Sequence, residues 1–114
     1  MTSTVYILQN PKKWDRVAEV WVDKYDFKPA EKYGSLHYVI EDNRTPFSGW
    51  PFIRKLKEEL ADYDEQDYIL ATGSPETIFL AGMIVQQRIG CVNLLTYDKQ
   101  KQDYLVKHYD LNAN

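Results

Sequence analysis

The sequence predicts an α/β fold: a small three-layer sandwich with a mainly parallel central sheet and a C-terminal antiparallel hairpin. Three observations carry this expectation. Short β-branched and aromatic runs alternate with segments of helical periodicity along 114 residues, the pattern of a sheet covered by helices. The run "YILAT", Tyr68 to Thr72, has no polar alternation, as expected of a parallel strand buried on both faces. The last two runs, "CVNLLTY" and "DYLVKHYDL", are joined only by "DKQKQ", so they read as a hairpin that adds an antiparallel edge.

Taken in order, "VYILQ" (Val5 to Gln9) is a strand. Asn10 then reads as an N-cap and Pro11 as a first helical residue, where its missing N–H costs nothing. Trp14, Val17, Ala18, Trp21 and Tyr25 follow at helical spacing, predicting an aromatic-faced helix; Val20 and Val22 fall off that stripe. Pro29 to Gly34 is a loop or short turn, and "SLHYVIE" (Ser35 to Glu41) a strand. Asp42 to Gly49 is dense in turn formers. Pro51 opens a helix that buries Phe52, Ile53, Leu56 and Leu60, with Arg54–Glu58 and Lys55–Glu59 on its wet side. An acidic link, Asp62 to Asp67, leads into the "YILAT" strand. The helix after Ser74 is apolar nearly all round, so it should be buried or covered by a partner, and Gly90 suits its C′ position. Tyr68 to Tyr97 forms a βαβ crossover. Residues 1–111 form a single α/β domain, and 112–114 a C-terminal tail.

Composition narrows the function classes. The formal charge is -3 with both signs interspersed, and no basic stripe tracks a phosphate backbone, so nucleic acid is an unfavourable partner. The single cysteine, Cys91, excludes an internal disulfide and a multi-cysteine metal site. No apolar run nears the roughly 18 residues of a membrane span, and the expected location is cytoplasmic.

The turn Thr72-Gly73-Ser74-Pro75 is the first candidate site, because it ends a central strand where open α/β sheets keep ligand crevices. Ser74 is a good N-cap, and Glu76 complements the helix dipole. A phosphate would use the same free N–H groups, with Arg44 from the long loop neutralising it. Glu76 opposes an anion, however, and no Lys or second Gly completes a phosphate-binding loop. The structural turn is therefore the first reading, and Thr72, Gly73, Ser74 and Arg44 as ligand contacts the second. His37 and His108 read as half-exposed strand residues, too few for a metal site. The carboxylates of the acidic link read as a solvated surface. Neither a catalytic set, a metal site nor a cofactor is indicated. Nine Tyr and three Trp make aromatic contacts the other candidate: Trp14, Trp21, Tyr97, Tyr104 and Tyr109 could dock a protein, or could stabilise a helix face and a hairpin.

Four pieces, "VYILQNPKKWD", "KYGSLHYVI", "DYILATGSPETI" and "NLLTYDKQKQDYLVKHYDL", give the chain a resemblance to a group of small α/β proteins encoded by bacteriophages. Such proteins commonly have Gly-Asp-Pro where this chain has Gly73-Ser74-Pro75, and Trp-Asp-Arg-Gln where it has Tyr97-Asp98-Lys99-Gln100. Asp and Ser are both strong N-caps, so the exchange favours capping as the job of Ser74. Arg16 to Asp26 stands as an insertion relative to that group. The resemblance implies no reaction. The expected function is a non-enzymatic phage accessory protein acting through protein contact, on a host protein or as a homo-oligomer in the host cytoplasm. The alternative is a small-molecule or nucleotide-binding module at the Gly73-Ser74 turn.

Overall fold

A computed structural model describes residues 3–40 and 49–112. Strand β1 (Thr4–Gln9) sits inside the sheet, and its alternation builds two cores. Tyr6 and Leu8 point to one face, Val5 and Ile7 to the other, and all four are buried. Burial of such a side chain is worth about 1.5–3 kcal/mol. Around β1 the sheet runs in the order β4 (Ser35–Ile40), β1, β5 (Tyr68–Leu70), β6 (Cys91–Asp98), β7 (Asp103–Asp110). The first four are mutually parallel, and β7 returns antiparallel to β6, pairing Cys91 with Asp110 through Asp98 with Asp103. The mainly parallel sheet and C-terminal hairpin expected from the sequence are therefore present.

Helices α1 (Gly49–Glu59) and α2 (Pro75–Arg88) pack Phe52, Leu56, Ala81, Ile84 and Val85 into the core with Tyr6 and Leu8. α2 ends with Gly90 at φ 79°, a left-handed C′ residue that glycine adopts without strain. Its outer side stays bare, with Phe79 70% exposed and Met83 56%. The opposite face is covered differently. A 3₁₀ helix, Lys28–Tyr33, lies where a loop or short turn was expected, and brings Ala30, with the preceding Phe27, against Val5, Ile7, Leu70 and Leu95. The Tyr33 hydroxyl donates to the Tyr104 carbonyl at 2.9 Å, and Lys32 pairs with Asp103, tying this segment to β7.

Among the described residues a helical layer on that second face is not seen beyond the 3₁₀ helix, and the helix expected over Pro11 to Tyr25 is a β-hairpin. β2 (Lys12–Asp15) and β3 (Val20–Asp23) pair antiparallel as a separate two-stranded sheet. The physical reason lies in the turn. Asp15 accepts the N–H groups of Val17 (2.9 Å) and Ala18 (3.2 Å) on its side chain, and that of Glu19 (2.8 Å) on its carbonyl. Such side-chain bonds compete with the helix ladder. Trp14 and Trp21 then face each other across the strands, so a seven-residue spacing that suits one helix face suits a hairpin pair equally well. Val20 and Val22, which broke the helical stripe, are at home in a strand. Asn10 is correspondingly no helix cap: its N–H donates to the Ile40 carbonyl at 3.2 Å and its side chain to Asp23 at 3.4 Å, while Lys12 pairs with Asp23 at the hairpin's base.

Candidate functional site

The strand order places β1 and β5 side by side, with their chain connections leaving toward opposite faces of the sheet. That divergence is the position where open parallel sheets hold ligands, beyond the carboxyl ends of the strands. Here β5 runs out through Thr72, whose N–H turns back to the Leu70 carbonyl at 2.9 Å. Gly73 follows at φ 120°, and Ser74 caps α2, its Oγ accepting the Thr77 N–H at 3.2 Å and lying 2.8 Å from the Thr77 hydroxyl. The Ser74 N–H is also taken. It donates to Oε1 of Gln9, at the end of β1, at 2.8 Å.

Gln9 thus holds the spot an anion would occupy. It also explains Gly73 more fully than the turn alone, because a Cβ there would run into the Gln9 side chain. Thr72 and Gly73 instead face sideways into a groove of ≈ 750 Å³. Its walls are the hairpin's exit at Lys24 and Tyr25, and Tyr97, Lys99 and Tyr104 from the C-terminal strands. Thr72, Gly73 and Tyr97 are therefore brought together. Arg44, and the Asn43 to Ser48 part of the loop assigned to this site, lie outside the described residues.

The aromatic candidates separate into two groups. Trp14 and Trp21 stack edge to face at 5.5 Å and 68°, and are 49% and 61% exposed. Tyr97 and Tyr104 make a similar pair at 5.3 Å and 67°, but Tyr104 is buried in the core with only Tyr97 exposed. Tyr109 is exposed and pairs across the hairpin with Val92, which packs against the core on the α1–α2 side, so it lies on the other face from Tyr97.

The histidines have partners. His37 Nε2 lies 2.6 Å from Glu59 Oε2, and His108 Nδ1 lies 2.7 Å from Asn93 Oδ1. Burial raises the Cys91 thiol pKa, with Glu65, Asp110 and Asp64 adding to the effect, so the thiolate is disfavoured. Among the described residues no cluster of three or more His, Cys, Asp or Glu could hold a metal ion, and no helix is long and apolar enough to cross a membrane. Sequence reasoning missed Gln9 and Tyr6. Gln9 stands 65 positions from Ser74, beyond any local window, and Tyr6 reads simply as a strand hydrophobe.

A mainly parallel α/β sheet with an aromatic hairpin outside it, and a crevice filled by its own glutamine, is the class of protein these features define. The family model of the phage Pam3 gp32-like protein matches residues 3–111, and the chain belongs to this phage-derived family. No curated protein and no solved structure matches it.

Proposed function

We propose that the protein is a non-enzymatic phage accessory protein that acts in the host cytoplasm by docking another protein, or a second copy of itself, through the β2–β3 hairpin. The observation that carries this reading is the Trp14–Trp21 pair, exposed on a ribbon that, among the described residues, shares no ladder with the main sheet. Val17, 96% exposed in the turn that joins the two strands, adds apolar surface to the same ribbon. Contiguous exposed apolar patches are the usual mark of an interaction site, and tryptophan is prominent among residues that anchor one. Light scattering on size-exclusion fractions, with pull-down from host lysate, compares the wild type with Trp14→Ala/Trp21→Ala. The reading expects a self-associated species or a retained host protein that the double variant loses. A strictly monomeric wild type that retains nothing from lysate rejects it.

A second reading rests on the groove beside Thr72 and Gly73, where Lys24, Lys99 and Tyr97 would hold a small anionic aromatic ligand. A thermal-shift screen of nucleotides tests it, since a ligand at one hundred times its Kd adds about 2.7 kcal/mol. Absence of any shift excludes nucleotides.

A further inference from the structure

We infer that the groove between the C-terminal end of α1 and the amino ends of β1 and β4 binds an organic cation carrying ammonium or guanidinium groups. This inference does not depend on the hairpin reading. The groove encloses ≈ 840 Å³ and is lined by Tyr6, Glu58, Glu59, Asp62, Asp64 and Asp67, among others.

These carboxylates are not equivalent. Asp67 is spent on the fold, accepting the N–H groups of Thr4 and Asp64 at 2.9 Å each. Glu59 is held by His37 at 2.6 Å and Lys55 at 2.9 Å. Asp64 uses one oxygen on the Glu65 N–H at 2.7 Å. Glu58 and Asp62 are exposed, and among the described residues their carboxylates make no hydrogen bond or ion pair. They line the same groove, one in the last turn of α1 and the other just beyond it, and like charges on one surface repel. They also crowd the end of α1, where the helix dipole is negative and favours cations. The nearby guanidinium of Arg88 is already committed to the Leu60 and Tyr63 carbonyls, at 3.2 and 2.6 Å. A cation supplied from outside would relieve this arrangement.

The second observation is independent of the acidic cluster. Tyr6 is only 5% exposed, yet it lines the groove and its hydroxyl has no hydrogen-bond partner among the described residues. Its ring is clamped edge-on by His37 at 5.3 Å and Tyr63 at 5.7 Å, so the hydroxyl is fixed in place. Burial raises its pKa, and Asp67, Asp62 and Glu59 raise it further, against a lowering by Arg88. The hydroxyl therefore stays protonated and keeps lone pairs free to accept an N–H. The carboxylates form no compact metal-binding cluster, which favours an extended cation with several N–H donors over a bare ion. Free polyamines and the Lys or Arg side chains of a partner protein share that chemistry.

Calorimetric titration and thermal shift at low, matched ionic strength test the site, using spermidine, a capped Lys-Arg-Lys peptide, and MgCl2 as control. The wild type should bind at least one organic cation and be stabilised by it more than by MgCl2. Glu58→Gln/Asp62→Asn, at exposed positions, should weaken that binding at least tenfold while folding normally. Tyr6→Phe should weaken it several-fold while the Tm of the unliganded protein stays level or rises. Binding of spermidine alone identifies a free polyamine as the source; binding of the peptide alone identifies a protein side chain. Either result supports the site. Equal affinity of wild type and the double variant, or an equal shift from MgCl2, overturns it.

Discussion

The Trp14–Trp21 pair of the β2–β3 hairpin and the Tyr97–Tyr104 pair of the β6–β7 hairpin are near copies in geometry, at 5.5 Å and 68° against 5.3 Å and 67°. What lies beneath them differs. Tyr104 is seated in the core with Leu95 and Leu70, whereas neither tryptophan belongs to a core cluster. A cross-strand aromatic pair adds roughly 0.5–1.5 kcal/mol beyond area burial, so either pair helps its own hairpin. Only the tyrosine pair is also accounted for by packing. The tryptophan pair leaves two large rings in water, and an isolated two-stranded ribbon is marginal by itself. The same motif is structural in one place and available for recognition in the other.

The largest test of this contrast is Tyr104→Ala. Losing a buried aromatic ring should cost about 3–5 kcal/mol in a urea melt. A cost no greater than that of Trp21→Ala would break the comparison.

Gly73→Ala should cost about 1–3 kcal/mol, because the left-handed φ of 120° disfavours any other residue and the new Cβ meets Gln9. In a Gln9→Ala background the penalty should shrink but not vanish, leaving the backbone part. A double-mutant cycle reads that coupling, and simple additivity would dismiss the Gln9 contact as the reason for the glycine.

Tyr63→Phe should go the other way. Among the described residues the Tyr63 hydroxyl is buried with only the Asn93 backbone as a marginal partner, so its removal should leave stability level or raise it by up to about 1 kcal/mol. Burial also pushes its pKa from 10.0 up to about 12. The folded state therefore keeps this proton at a pH where the unfolded chain has lost it, and the corresponding stability falls as pH rises from 10 through about 12. The Phe variant should show a shallower alkaline loss in pH-dependent melts.

Trp21→Ala should have the smallest effect on global unfolding, about 1 kcal/mol or less, while tryptophan emission reports the loosened hairpin. A larger global cost would mean that the hairpin supports the main fold.

Much of this architecture was legible in the chain. β1, the Ser74 cap, the Gly90 stop and the C-terminal hairpin each follow from neighbouring residues, because caps, turns and alternation are local chemistry. The hairpin at 12–23 was misread because tryptophans seven apart satisfy two periodicities, and only Asp15 and the valines distinguish them. The second face is accordingly covered by the 3₁₀ helix and Phe27 rather than by the long helix expected there. The candidate sites were less legible for a different reason. Glu58 and Asp62 look like an ordinary wet helix end until folding sets them beside Tyr6, and the contact between Gln9 and Ser74 exists only once β1 and β5 lie side by side.

That contact changes what the crevice is. Gln9 behaves as a tethered occupant: its amide oxygen arrives at the Ser74 N–H at an effective concentration no diffusing anion of modest affinity can match. Natural variation at position 9 would therefore act as a release, since a shorter side chain would return the Ser74 N–H to solvent while Ser74 still caps the helix.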